Sequence, residues 1–317
     1  MTENSSKAKL DQIRVDKIRP NPDNPRLTFR QGELDELQES IRIYGVQVPI
    51  AVYKDGNHFV LIDGERRWRC ASKLNRKTIP ALIQEKPSQL DNLLLMFNIH
   101  SLREQWDLLT ISLKLPQVIA LLKKERIKEP TEADLSSKTG LARGTIRRCK
   151  LLMELPKKYK SMLLDELKKP KARQRLSEDF FIEMEKAIKT VSRAMPDAIP
   201  DKDVAREVLL NKYQEGVIGN IVDFRMVAKI ARAEKVGADP TQAKRAIERL
   251  ISDGAYSIER AFNDTVSEIY AERDIVSRID LLITRLDEVA DEAIDDDVRE
   301  KLEQLIARAR SLLEATK

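Results

Sequence analysis

Strand-forming sequence is confined to roughly the first quarter of this 317-residue chain, which restricts where a sheet can lie. Two short runs rich in β-branched residues, Gln47–Tyr53 and His58–Ile62, flank Lys54-Asp55-Gly56-Asn57, a pattern that predicts two strands joined by a hairpin turn. Ile79-Pro80-Ala81-Leu82-Ile83 predicts a last short strand. Helical patterns lie around them. Leu34, Leu37, Ile41 and Tyr44 recur at helical spacing over 33–44, and Gly45 supplies a stop. Gly64 to Leu74 predicts a helix that starts directly after a strand. The expectation is an α+β domain over 13–87, preceded by a flexible N-terminus over 1–12.

From Ser88 onward the pattern is almost entirely helical, over 90–98, 107–124, 132–138 and 143–153. Pro116 is expected to open or kink one of these helices, with Pro130 and Pro156 as boundaries. Residues 88–175 are expected to form one helical domain and 176–270 another. The basic stretch 157–175 either contacts phosphates or forms a solvated linker. From Ala271 to the end neither Pro nor Gly occurs, and apolar residues from Ile275, Ile279 and Leu282 to Leu302, Leu305 and Leu312 recur at spacings of 3 and 4. This predicts a helical hairpin or coiled coil over 271–317, a dimerisation tail with an acidic middle at Asp291, Glu292 and Asp295 to Asp297.

Hydrophobic residues make up 42% of the chain, charged residues 34% and aromatics 5%, which suits helix-rich packing on Leu, Ile and Val better than an all-β sandwich. No run approaches the ~18 apolar residues that span a bilayer. Met1 to Lys9 is polar, without a signal-peptide core, so the expected location is cytoplasmic. The net charge of +5 permits a polyanionic partner without requiring one. Cys70 and Cys149 are far apart and suggest reduced thiols rather than zinc. His58 and His100 are too few for a catalytic or metal argument, and Trp68 and Trp106 are expected to anchor the core.

Two constellations carry chemistry. In Asp63-Gly64-Glu65-Arg66-Arg67-Trp68-Arg69-Cys70-Ala71, a glycine at a strand end precedes a helix opened by arginines. Backbone N–H groups at a helix N-terminus bind anions, and guanidinium groups add multi-donor phosphate contacts. Alone, the string fits either a phosphate site or a solvated basic helix. The second constellation, 131–152, has the pattern of a helix-turn-helix. Thr131 caps the first helix with Asp134 three residues on, Gly140 sits at the turn, and Leu135, Leu141 and Ile146 pack between the helices. Lys138, Arg143, Thr145, Arg147, Arg148 and Lys150 would face DNA, with the second helix in the major groove. A plain helical hairpin with a basic face is the alternative.

Further motifs join these. Pro20-Asn21-Pro22-Asp23-Asn24-Pro25-Arg26 opens the domain, Gly45-Val46-Gln47-Val48-Pro49 follows the first helix, and Ile79-Pro80-Ala81 closes the unit. In this order and spacing, 13–83 resembles the N-terminal domain of the ParB/RepB partition family, with its PNPxxPR opening, hG-x-x-x-P turn, GERRxRA box and IPA strand. Leu152-Met153-Glu154-Leu155-Pro156 is similar to the RLLxLP ending of that family's helix-turn-helix. The resemblance implies a sulfiredoxin-like fold that binds CTP and Mg²⁺. Gly45, Val46, Gln47 and Pro49 would meet the base, and Gly64, Glu65, Arg66 and Arg67 the phosphates. A third family box, ENxxR, is best matched at 97–104, making Asn98 the Mg²⁺ ligand and Arg103 a phosphate contact. A helix cap plus surface polar residues is the alternative for Asn98, His100 and Arg103. Phe97 replaces the glutamate, Arg103 lies one residue further on, and Asn24 stands where partition proteins often carry glutamine. The family ties positions 24 and 97 to hydrolysis, so the resemblance implies CTP binding with weak turnover.

The implied function is a partition-type DNA-binding homodimer, nucleoid- or plasmid-associated, gated by CTP. Double-stranded DNA is its implied partner and a ParA-like ATPase a further one, although the basic peptide that usually meets that ATPase is not evident in Met1–Leu10. Two other classes share these parts: a nucleotide-dependent kinase or nuclease, and a plasmid or phage regulator of transcription or replication. Against an enzyme, no Cys precedes Arg66 in the box, and Glu65 is the acidic residue best placed for chemistry.

Overall fold

The computed structural model describes residues 8–24, 31–101, 107–125, 129–288 and 295–315. Among them, β1 (Lys9–Arg14), β2 (Ile18–Arg19), β3 (Ile50–Asp55), β4 (His58–Asp63) and β5 (Thr78–Gln84) form one sheet in the order β1-β5-β3-β4-β2. Pairing is antiparallel in β1/β5 and β3/β4 and parallel in β3/β5 and β2/β4. Alternation along the strands gives the sheet two apolar faces. Ile50, Val52, Leu61, Ile79 and Ala81 pack with Ala71 of α2 (Glu65–Lys73), which also packs against α1 (Gln31–Tyr44). Tyr53, Val60 and Ile62 face the other way, against Leu95 of α3 (Gln89–Ser101).

The predicted hairpin is present as a two-residue turn, Gly56-Asn57, with Gly56 at φ +60° and Asp55 opposite His58. β3 starts at Ile50 rather than Gln47, because Gly45–Pro49 forms a loop. β1 corrects the N-terminal boundary: residues 9–12, expected to be flexible, pair with β5. Only Ile13 of β1 is buried, so this charged edge strand lacks the apolar alternation that marks a strand in sequence.

The helical remainder has two cores. In the first, Leu93 and Phe97 of α3 pack with Leu115 and Val118 of α4 (Leu108–Lys124), Leu135 of α5 (Glu132–Thr139), and Ile146 and Cys149 of α6 (Arg143–Glu154). The helix α4 runs through Pro116 without opening there. In the second core, Leu152, Leu155 and residues of α7 (Lys157–Lys168) pack with α8 (Glu178–Ala194), α9 (Lys202–Gln214), α10 (Phe224–Ile230), α12 (Pro240–Ser252) and α13 (Ile258–Asn263), where α11 (Ala233–Val236) adds Ala233. This corrects the expected division at 175/176: the hydrophobic packing changes partners near Leu152, so α7 belongs with the later helices. The first part of the basic stretch is the helix α7, whereas Lys171, Arg173 and Arg175 beyond it are exposed. Lys158 pairs with Glu207, Lys168 with Asp165 and Lys169 with Glu166.

Polar groups set this second unit. Glu185 and Arg206 form a two-point ion pair at 2.5 and 3.0 Å with both side chains largely buried. Lys212, fully buried, donates to the carbonyls of Asp253 and Tyr256 at 2.7 and 2.6 Å. Helices α14 (Ser267–Glu288) and α15 (Asp296–Ala315) contribute no buried residue to either core. Ile275, Ile279, Leu305 and Leu312 are exposed. No helix among the described residues is long and apolar enough to cross a membrane.

Glu178, at the start of α8, accepts a hydrogen bond from the Leu109 N–H at 2.6 Å and so caps α4, whose own N-cap residue Asp107 makes no side-chain cap. Burial pushes the Glu178 carboxyl up to about 7, opposed by the Leu109 N–H and by Arg148 and aided by Asp107. Between the ordinary value of 4.5 and about 7, the folded chain holds a proton that the unfolded chain has released. Stability therefore falls as pH rises through this window. Glu178→Gln removes that term, so its melting temperature relative to the parent is expected to rise between about pH 5 and about pH 8. Parallel melting curves across that range would contradict the assignment.

Candidate functional site

The Gly45–Pro49 loop and the start of α2 form one cradle. Gly64 caps α2 at φ +96°. A Cβ there would lie 2.6 Å from Ile50 Cγ2 and 3.0 Å from Arg67 Nη2, so position 64 needs glycine both for its backbone conformation and for space. The first N–H groups of α2 have no partner within the helix, and their partial positive charge favours an anion. The Arg67 guanidinium donates to the carbonyls of Val48 and Pro49 at 2.7 and 2.8 Å and to Asp63 Oδ2 at 2.8 Å. It thereby ties the loop to the end of β4. Arg67 is thus a positioning residue in this structure. Gly45, at φ +73°, ends α1, the Gln47 amide donates to the Tyr44 carbonyl, and Val46 packs into the core below.

Arg66 reaches α1, donating to the Glu33 carbonyl at 3.1 Å and lying 3.4 Å from the Glu33 carboxylate. Its Nε is buried without a hydrogen-bond partner. An unsatisfied buried donor costs free energy unless a further acceptor arrives. Glu65 is buried with both oxygens engaged. Oε2 accepts from the Asn24 amide at 2.5 Å, and Oε1 accepts from Arg69 at 2.9 and 2.6 Å. Glu65 thus anchors the opening motif, and its carboxylate already has a structural task.

The opening motif is a turn pinned at two points. Asn21 accepts from the Asp23 N–H and exchanges amide hydrogen bonds with Asn92 of α3 at 3.1 and 3.5 Å, both residues being buried. Asn24 holds Glu65. Neither Asn21 nor Asn92 was singled out from sequence as a contact, since the pair joins positions 71 residues apart.

The third box departs from expectation. Phe97 is fully buried in the first helical core, so it is a packing residue, not an open position that lost a carboxylate. The Asn98 amide donates to the Lys138 carbonyl at 3.4 Å, at the junction of α3 with α5. No group of three or more His, Cys, Asp or Glu that could hold a metal occurs among the described residues. Arg103, Trp106, Pro25, Arg26, Asp291 and Glu292 lie outside the described residues, as does the side chain of His100.

The pair α5–α6 has the predicted helix-turn-helix form. Thr131 and Asp134 make the reciprocal cap, Gly140 is left-handed at φ +73°, and Leu135, Leu141 and Ile146 are buried between the helices. Ser136 Oγ and Thr139 Oγ1 close the turn through the carbonyls of Leu141 and Leu135, at 2.7 and 2.6 Å. Lys138, Arg143 and Arg147 are exposed, whereas Thr145, Arg148 and Lys150 are half-buried. Arg147 pairs with Glu132 at 2.7 Å, and Arg148 reaches sideways to Asp179 of α8. The outward face therefore carries Arg143 and Arg147, while Arg148 also serves the junction between the two helical cores.

Residues 1–98 match the ParB N-terminal domain family. The match covers the sheet, α1, α2 and most of α3 and stops short of the later helices. The probable chromosome-partitioning protein ParB of Campylobacter jejuni is 46% identical over 88 residues, covering 27% of this chain and 32% of that protein. A nucleoid occlusion protein of Geobacillus kaustophilus is 32% identical over 166 residues, 52% of this chain and 56% of that one. The chain thus spans from about a third to just over half the length of these curated relatives. A crystal structure of C-terminally truncated chromosome-partitioning protein ParB from Caulobacter crescentus, complexed to the centromeric parS site, aligns at 20% identity over 70% of this chain and 98% of that chain, with a TM-score of 0.44.

Gly64→Ala tests the cradle. Left-handed strain alone is worth about 1–3 kcal/mol, and the contact with Ile50 adds to it. A lower urea midpoint and loss of triphosphate binding by calorimetry are expected. An unchanged midpoint would show that the turn does not need glycine.

Proposed function

We propose that the chain is a partition-type DNA-binding protein that holds CTP at the Gly45–Pro49 and Gly64–Arg67 cradle and engages duplex DNA through α5–α6. The observation that carries this reading is the linkage of loop and box by Arg67, with a glycine-only turn at a helix N-terminus beside it. Triphosphate oxygens would meet the N–H groups of α2 and the Arg66 guanidinium, whose buried Nε lacks an acceptor. CTP rather than another triphosphate follows from the family resemblance. The work of this chain's own residues is to bind and orient. Glu65 is tied to Asn24 and Arg69, which leaves it poorly placed as a base and disfavours a kinase or nuclease. We therefore expect binding with weak turnover.

On this reading, Arg143 and Arg147 approach base edges or phosphates from the outward face of α6, and a ParA-like ATPase is a candidate partner. Arg66→Ala is expected to abolish CTP binding in calorimetry and to leave duplex binding in anisotropy intact at matched salt. Arg147→Ala is expected to do the converse, at about 1–3 kcal/mol if the contact is to a base edge. Nucleotide binding unchanged in the first variant, or duplex binding unchanged in the second, would refute the corresponding assignment.

Ile275, Val276, Ile279 and Ile283 of α14 and Leu305 and Ile306 of α15 are exposed, which supports a homodimer built through this tail. A chain ended near Tyr270 is expected to sediment as a monomer while the full chain sediments as a dimer. Equal oligomeric states would overturn the role of the tail.

A further inference from the structure

A cleft of about 530 Å³ opens where the second helical core meets the recognition helix α6. Its walls are α8 and α10, and Leu151 of α6 lies at its edge. Lys186, Lys189 and Arg193 recur along α8, and Arg225, Lys229 and Arg232 recur from α10 onward, at helical spacings that place each set along the cleft. Glu183 is the acid in this lining, and the floor is apolar, formed partly by Ala187, Phe224 and Ala228.

The charge is only partly neutralised. Lys186 pairs with Glu183 at 2.7 Å and Lys189 with Glu154 at 2.5 Å. Lys229 sits over the rings of Phe262 and Tyr270, at 5.4 and 4.7 Å. Among the described residues, Arg193 and Arg232 have no ion-pair partner, and both are exposed. The surface thus keeps at least two uncompensated guanidinium groups beside further cations.

Its position matters as much as its charge. Arg148 meets Asp179 and Glu154 meets Lys189, so α6 and α8 lie side by side, running in the same sense. Leu151 is one turn beyond Arg147 on α6, so the cleft begins on the side where the outward arginines end. The lining has charge and an apolar floor but few neutral hydrogen-bonding groups, a composition that holds a polyanion without reading a sequence.

We propose that the α8–α10 cleft is a second DNA contact, one that grips the phosphate backbone flanking the segment met by α6. This rests on the reading of α5–α6 as DNA-binding. The flanking grip would lengthen the footprint and steepen its salt dependence, since each neutralised phosphate releases counterion.

The test compares the full-length chain with Arg193→Ala/Arg232→Ala, Arg193→Lys/Arg232→Lys and Arg147→Ala. Anisotropy is read across a salt series with a short mixed-sequence duplex and with one longer by about one helical turn, ~10 base pairs. For the double alanine variant, the slope of log affinity against log salt is expected to flatten by about two, with affinity at low salt falling about tenfold or more. The gain from the longer duplex is expected to disappear, and the lysine variant to restore most of the slope. Circular dichroism should match the parent, because both side chains are exposed. Parental slope and length gain in the alanine variant, with Arg147→Ala weakened, would overturn the cleft and leave the recognition helix standing. The reverse pattern would keep the cleft as a DNA contact but overturn the reading of α6 on which its flanking role rests. Absence of duplex binding by the parent chain would overturn both. Poly-glutamate binding lost in the alanine variant while its duplex binding persists would point to an acidic protein and overturn the proposal.

Discussion

The guanidinium of Arg67 closes the N-terminal cradle. It takes the carbonyls of Val48 and Pro49 on one side and the Asp63 carboxylate on the other, so a loop following one helix is held against the strand end that launches the next. Each carbonyl would otherwise need another donor, and the loop would keep conformational freedom that a ligand would have to remove. With the brace in place, that ordering cost falls on folding rather than on binding. Gly64 completes the arrangement, because any side chain there would meet Ile50 in the floor beneath.

A second organising element is α3, which belongs to two cores at once. Leu95 covers the outer face of the sheet, while Leu93 and Phe97 fill the first helical core. The buried Asn21–Asn92 pair fixes the opening turn to the same helix. Amides buried together satisfy one another, but only in one register, so the pair specifies how turn and helix meet. The sheet and the helix-turn-helix are therefore joined by a packed helix rather than by a solvated linker.

Much of this was legible in the sequence. Helix α1, the hairpin and the caps of α5 follow from short-range rules of periodicity and turn chemistry, and those elements stand where the residues indicated. The edge strand β1 was not legible, because its pairing with β5 is long-range and most of its side chains face solvent. The break between the helical cores was misplaced because Pro and charge runs mark chain bends, whereas Leu152 and Tyr159 reveal their partners only in three dimensions. At the site, the glycine and arginines of the box were evident from the strand-to-helix pattern. What each arginine does was not: Arg67 braces, Arg66 bridges to α1, and Arg69 holds Glu65. Phe97, read as a departure from a family box, is explained by the core it fills.

The turn at Asn21–Asn24 has a thermodynamic consequence. One end of it is bonded to α3, which packs against α5 of the helix-turn-helix, and the other to Glu65, the first residue of α2. Any ligand that changes the free energy of one end by displacing this turn must change the other. If nucleotide alters affinity for duplex by some factor through it, duplex alters affinity for nucleotide by the same factor, because coupling between binding equilibria is reciprocal. A few side-chain amides would then be the conduit through which two chemically unrelated ligands sense each other.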